Sequence, residues 1–332
     1  MYQGKKVLVA GGTGMIGSEL VKALLEQGAR VRIASLDDPS LAPPQTEFVR
    51  KDLTLLANCL DVCAGMDYVF NLTGVKGSPA VSTKKPASYL VPTLLMATSL
   101  MEAARRSGVE RYLFTSSVGV YAPAEIFYED DVWKTFPSPN DRFPGWAKRM
   151  GELLGEAYKI EYGWDKTVVV RPANVYGALD NFEGQNATVI PSLIRRAVNL
   201  KEDEPLVVWG DGSPLRDFIH ARDVASGMML ALEKLPPTPI NLGSGTGVTI
   251  RQLVETIAQT IGRDLKIVWD TSKPAGDRKR VMDISRARAI GFAPQVSLEQ
   301  GLRETIAWYR AARDHMPKRY DVFNQPEPAA PK

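Results

Sequence analysis

The chain has 332 residues, 44% of them hydrophobic and 24% charged, with 41 basic and 38 acidic side chains. This balance suits one large α/β unit or two modest domains and excludes a disordered or fibrous chain. A net charge of +3 is too weak a bias to indicate nucleic acid, and no basic amphipathic helix or aromatic–basic interleaving indicates a membrane surface.

Along the chain, strand and helix alternate. "KVLVA" (6–10) is a short apolar strand that runs into "GGTGMIG" and then a helix with Ile16, Leu20 and Leu24 on one face, closed by Gly28. "RVRIAS", "EFVRKD", "DYVFNL", "RYLFTS" and "KTVVVR" read as further strands. Strands separated by helical segments predict βαβ units, hence a Rossmann-type doubly wound parallel sheet. Two helices, near 93–106 and after Pro144, carry apolar stripes: Leu94, Ala97, Met101 and Ala104 on one, Trp146, Met150, Leu153, Ala157 and Ile160 on the other. Such stripes face a core or a partner subunit, and a homodimer through these two helices is expected.

Beyond about residue 172 the segments shorten and loops become rich in Pro and Gly. The division expected is a dinucleotide-binding domain over 1–172, to which 206–243 partly returns, and a smaller, interleaved α/β substrate domain over 173–315. Residues 316–332 read as a flexible tail. Ser297 and Gln300 fit a capping box opening the last helix.

Cys59 and Cys63, with His220 and His315 the two histidines, are too few for a disulfide framework or a metal site, so no metal is expected and the thiols read as buried. The sequence "MYQGKKVLVAGG" has no secretory apolar region, and no run approaches about 18 apolar residues; a cytoplasmic protein is expected.

Gly11, Gly14 and Gly17 stand directly between a predicted strand and helix. The first glycine permits a tight turn, the second a close backbone approach and the third close helix–strand packing, so a pyrophosphate can sit on the helix N-terminus. Thr13, Met15 and Ile16 belong to the same loop. After the second strand come Ser35, Asp37 and Asp38. With no arginine just after that strand, Asp37 favours the free ribose hydroxyls of NAD over the 2′-phosphate of NADP, which is kept as a possibility. Asp52 and Leu53 are expected near the adenine. Leu72, Thr73 and Gly74 follow the fourth strand, and Thr115 ends the fifth; all should line the cofactor.

"GGTGMIG", "DLT", "TSSVGVY", "RPANVYG", "WGDGSPLRDFIHARDVA" and "MDISRARAIGF", in that order over residues 5–310, resemble the extended short-chain dehydrogenases/reductases that act on nucleotide sugars. "KPASYLVPTLLMATSLMEAARRSGVERYLFTSS" and "DNFEGQNATVIPSLIRRA" are most similar to the GDP-fucose synthase branch. The resemblance implies hydride transfer at a sugar carbon, commonly C4, of a nucleoside diphosphate sugar. It places the motif serine on Ser117 and the motif lysine, on the nicotinamide ribose, on Lys148. It implies substrate contacts at Lys76, Ser117, Asn174, Thr188, Val189, Leu193, Arg196, Val208 and Trp209. Arg216, Arg280 and Lys273 would neutralise the diphosphate. His220 is expected to be structural.

The resemblance has a gap at its centre. The family's catalytic tyrosine falls on Pro144, in "PNDRFPGWAKRMGE" (139–152). Proline suits the first position of a helix, and here it is expected to open the helix that carries Lys148. It does no proton chemistry. The pair that performs 3,5-epimerisation in that branch falls on Gly119 and Thr188, and the Asp-Glu pair of the 4,6-dehydratases on Val118 and Gly119, so neither reaction is expected. Three readings stay open: another group substitutes, with Tyr121, Tyr128 or a water on Ser117 as candidates; the chemistry needs no strong base; or the protein binds cofactor and sugar nucleotide without turnover.

Overall fold

The computed structural model describes residues 1–77, 79–183, 187–273, 276–316 and 319–324, the side chains of 79 and 80 excepted. In the first strand, Lys6–Ala10, residues Val7 to Ala10 are all fully buried, the signature of a parallel strand covered on both faces. It pairs in parallel with Arg30–Ser35 on one side and Tyr68–Asn71 on the other. The complete order across the sheet is Ile240–Leu242, Thr167–Pro172, Arg111–Thr115, Tyr68–Asn71, Lys6–Ala10, Arg30–Ser35, Glu47–Arg50, seven strands in all. The order reverses beside Lys6–Ala10, and the glycine loop leaves that strand's carboxyl end at this switch point, where open α/β sheets bind ligands. Ile240–Leu242 has only three residues, too few to show a period in the sequence.

Helices Pro86–Arg106 and Arg142–Tyr162 pack against each other on one face of the sheet. Two glycines bring the second of these down onto the strands: a Cβ on Gly151 would stand 2.2 Å from the Phe114 ring, and one on Gly155 3.1 Å from Thr167. The helix begins at Arg142, so Pro144 is its third residue rather than its first. The substitution of an imino acid is still tolerated, because the first four N–H groups have no intrahelical acceptor.

A second apolar core gathers Tyr176, Leu193, Ile194, Val208, Leu253, Ile257, Leu302 and Tyr309. It is built from helices Val189–Asn199, Ile250–Ile261 and Leu298–Ala312 and the parallel pair Leu206–Trp209 and Ile267–Asp270. The reciprocal capping box lies at Thr249–Gln252. Ser297 accepts from the Gln300 N–H at 3.2 Å, while the Gln300 amide donates forward to Glu304 instead of back, so the box expected there is half made.

The tail expected to be flexible over 316–332 is corrected at 319–324; 317–318 and 325–332 lie outside the described residues. Residues 319–324 turn back over the sheet's carboxyl edge. Phe323 is buried and lies 6.3 Å from the Tyr89 ring, and Lys85 Nζ donates to its carbonyl at 3.0 Å. Its apolar ring makes the difference: "YDVFN" carries an anchor that its polar surroundings hide. Among the described residues, no helix is long and apolar enough to cross a membrane, and no cluster of His, Cys, Asp or Glu could hold a metal ion. Cys59 and Cys63 are free and buried, and burial pushes each thiol up to about 12.

Candidate functional site

The glycine loop has the geometry of a phosphate cradle. Gly11 has φ +81°, and a Cβ on Gly17 would stand 2.2 Å from the Gly11 carbonyl oxygen; only glycine allows both. Helix Met15–Glu26 opens at Gly14, which offers no capping side chain, so the N–H groups of Met15 and Ile16 are presented by the backbone alone. These features fit a dinucleotide's pyrophosphate. Beside the loop, the Thr13 hydroxyl donates to Asp37 Oδ2 at 2.7 Å and lies 2.9 Å from Ser35 Oγ. Asp38 is engaged elsewhere, capping Ser40 at 2.8 Å. Asp52 accepts from the N–H and hydroxyl of Thr54 at 2.9 and 2.7 Å, and Leu53 is buried.

At the other end of the cleft stands Lys148. Its ammonium donates to the carbonyls of Thr73 at 3.0 Å and Thr115 at 2.8 Å. These carbonyls follow two neighbouring strands, so one side chain ties Leu72–Gly74 to the end of Arg111–Thr115. Burial pulls Lys148 down to about 8, an effect Glu152 opposes. Ser117 caps a short turn, its Oγ accepting from Gly119 N–H at 3.1 Å. The point where a Cβ on Gly119 would stand is 3.5 Å from Ser117 Oγ and 3.3 Å from Asp141 Cβ. Asp141, which the sequence reading passed over, therefore flanks the serine. Its carboxylate pairs with Arg280 at 2.5 Å.

Arg280 also pairs with Asp277, which accepts from Ser138 at 3.0 Å and Asn140 at 2.8 Å. Arg216 belongs to the same cluster: burial and then Arg280 pull its guanidinium down to about 10, while Asp277 and Asp141 oppose the fall. A buried guanidinium destabilised in this way gains from an added anion. A cavity of about 330 Å³, lined by Gly210, Asp211, Pro214, Lys273, Gly276 and Arg278 among others, adjoins it, since a Cβ on Gly276 would stand 3.3 Å from Arg216 Nη2. A larger cavity of about 420 Å³ lies between helices Met15–Glu26 and Ala221–Lys234, lined by Glu19, Lys22, Glu26, Ser226 and Met229 among others.

Several expected site residues are engaged by neighbouring groups of the chain. Tyr121 is buried; its hydroxyl donates to Asn241 Oδ1 at 2.6 Å and accepts from Arg171 at 3.1 Å, and burial raises its pKa. It belongs to a network around the buried Arg171–Glu152 ion pair (2.6 Å), and its burial disfavours the tyrosinate that a base would need. Leu193 and Val208 are buried in the second core. Lys76 is held by the buried carboxylate of Asp180. The Asn174 amide donates to the Asp217 carbonyl at 2.8 Å, and Arg196 to the carbonyl of Val207. Thr188 caps helix Val189–Asn199 without a side-chain bond, Val189 is partly exposed, and Trp209 is 58% exposed. His220 caps helix Ala221–Lys234, its Nδ1 accepting from Arg222 N–H at 3.3 Å. Asp217, also unforeseen, gathers Ser244, Gly245 and Met282 around one buried carboxylate.

A doubly wound sheet with a glycine loop at its switch point and a lysine bridging two strand ends defines a dinucleotide-dependent enzyme fold. Residues 7–243 match the model of the NAD dependent epimerase/dehydratase family, and the chain belongs to that family. It is similar to GDP-L-fucose synthase 1 of Arabidopsis thaliana, at 33% identity over 92% of this chain and 93% of that one. A dTDP-4-dehydro-6-deoxy-D-allose reductase of a Streptomyces species is 30% identical over 93% of this chain and 97% of that one. Among solved structures, Thermus thermophilus UDP-glucose 4-epimerase in complex with NAD matches with a TM-score of 0.79 and 27% identity, over 92% of this chain and 99% of that one. The protein is an enzyme of this family, which is described as NAD dependent.

Proposed function

We propose that the protein is a nucleotide-sugar oxidoreductase or epimerase acting at one carbon, C4 first, of a nucleoside diphosphate hexose, with GDP the favoured carrier. One observation carries this reading: Ser117 and the Arg216–Arg280 pair meet through Asp141, which flanks the serine and pairs with Arg280. That arrangement joins a hydroxyl for the reacting oxygen to cations for a diphosphate.

In this reading Gly11, Gly14 and Gly17, with Thr13, Met15 and Ile16, hold the cofactor's pyrophosphate; Asp37 faces the adenosine ribose; Lys148 orients the nicotinamide ribose. The cofactor, when bound, supplies the hydride acceptor or donor. Ser117 holds the sugar oxygen and passes its proton to water, because residue 144 has no titratable group. Arg216 and Arg280 anchor the diphosphate, Lys273 adds charge at the rim, and Val189 and Trp209 cover the base. The substrate unit spans 173–315, and two copies of the chain associate through the outward faces of helices Pro86–Arg106 and Arg142–Tyr162.

The test is calorimetry with GDP, UDP and dTDP, beside mass spectrometry of small molecules released from the purified protein. GDP should bind tightest, and Arg216→Ala should weaken it tenfold or more, about 1.4 kcal/mol, with NAD binding unchanged. Equal losses for GDP and NAD, or no affinity for any nucleoside diphosphate, would sink the reading.

A further inference from the structure

The sequence supplies no arginine after the second strand, yet the fold brings one there. Arg319, 282 positions beyond Asp37, donates from Nη1 to Asp37 Oδ2 at 3.4 Å and to the Thr13 carbonyl at 2.8 Å. The next residue reinforces the contact, Tyr320 N–H donating to Asp37 Oδ1 at 2.8 Å. Both oxygens of the carboxylate expected to select the adenosine ribose are thus met by one short segment. Phe323, buried against Tyr89 and tied by Lys85, fixes that segment to helix Pro86–Arg106.

Arg319 has more to give than these bonds use. Its Nη2 is buried and has no hydrogen-bond partner among the described residues. A guanidinium offers a rigid fork of donors suited to phosphate oxygens. Among the described residues, the other groups that bond the Asp37 carboxylate are the Thr13 hydroxyl and the Tyr320 amide, while the neighbouring Arg50 donates to the Leu36 carbonyl at 3.2 Å. A ribose 2′-phosphate carries close to two negative charges at neutral pH and would be repelled by Asp37 alone. Beside Arg319 the carboxylate is neutralised, and a second anion can be met by the same guanidinium.

We propose that Arg319, carried by the C-terminal segment, is a cofactor-specificity residue that neutralises Asp37 and binds the 2′-phosphate, so that the site accepts NADP(H) as well as NAD(H). It goes beyond the sequence expectation, in which Asp37 favours NAD and NADP is a possibility, by naming a residue that would admit the 2′-phosphate. It rests on the reading that the glycine loop holds a nicotinamide dinucleotide.

Calorimetry of the full-length protein with NAD and with NADP tests it. The wild type should bind the two within tenfold of each other. Arg319→Gln should weaken NADP at least tenfold and change NAD less than threefold, and Arg319→Lys should recover part of the loss. Adding Asp37→Asn to Arg319→Gln should restore NADP binding, since the repulsion goes with the carboxylate; a purely structural role for Arg319 would not give that recovery. An unchanged NADP/NAD ratio in Arg319→Gln, or equal tightening of both, which would make the segment a plug, overturns the proposal. Wild type that binds NAD but rejects NADP also overturns it and leaves the cofactor reading intact. Wild type that binds neither overturns both.

Discussion

Gly145 approaches the backbone of Gly119 so closely that a Cβ on Gly145 would stand 2.3 Å from the Gly119 carbonyl oxygen. The first turn of the Lys148 helix is thereby pressed onto the loop that carries Ser117. Pro137 closes the same space, 2.7 Å from that Cβ position. Gly145→Ala must push helix and loop apart, and overpacking of this kind costs about 1–3 kcal/mol. Urea denaturation should show that loss. A variant as stable as the wild type would mean that the two elements are loosely joined.

Tyr121→Phe removes a hydroxyl that bonds Asn241 and Arg171 deep in the molecule. The loss of stability should be about 1–3 kcal/mol, because the buried Asn241 and Arg171 groups each lose a partner. Turnover per folded molecule should be unchanged. A fall in kcat of a hundredfold or more, of the size general acid–base catalysis supplies, would return Tyr121 to the chemistry.

Lys148 should show itself through pH. Its folded pKa, about 8, lies below the ordinary 10.5. The folded state therefore gives up this proton first. Stability from this group is fully present above 10.5, where the amine is neutral in both states, and is lost as pH falls from 10.5 to about 8. Activity runs the other way if the ammonium is the useful form: kcat/KM should fall as pH rises through about 8. Lys148→Met should lower kcat/KM about 10²–10³-fold, the effect of losing one preorganised electrostatic group, and abolish that limb. An alkaline limb that survives in Lys148→Met belongs to another residue.

The outer faces of the two long helices leave Val91, Leu95, Leu153 and Ile160 at 50, 44, 43 and 78% exposure, an apolar surface that a second copy would cover. Light scattering at micromolar concentration should give a dimer, and Leu95→Glu with Ile160→Glu a folded monomer. A monomeric wild type contradicts the proposed association.

Much of this fold was legible because its signals are local. The apolar runs from "KVLVA" to "KTVVVR" and the glycine loop state strand, turn and helix within a few residues. What escaped notice depends on pairs distant in sequence. Ala97, Met101 and Ala104 do face the core, but Leu153, Ala157 and Ile160 of the second stripe face outward: periodicity finds a face, not its partner. Leu193 and Val208 drew attention by their position in a motif, and their packing in the second core had no local signal. Tyr121 sits four residues from Ser117 in sequence, but the turn at Val118–Val120 sends its ring against Phe127, 4.8 Å away. Asp141, Asp217 and Arg319 gave no local signal, since each acts on a residue from another element.

The reading stands or falls on residue 144. Reduced-nicotinamide absorbance should be followed with GDP- and UDP-linked hexoses and 4-ketohexoses, for the wild type, Pro144→Tyr and Ser117→Ala. The wild type should turn over at least one of these, and Ser117→Ala should lose about 10²-fold or more of that rate. Pro144→Tyr should not be needed for activity. No wild-type turnover with any substrate, together with a gain in Pro144→Tyr, would contradict the proposed chemistry and show a site whose proton-transfer group is missing.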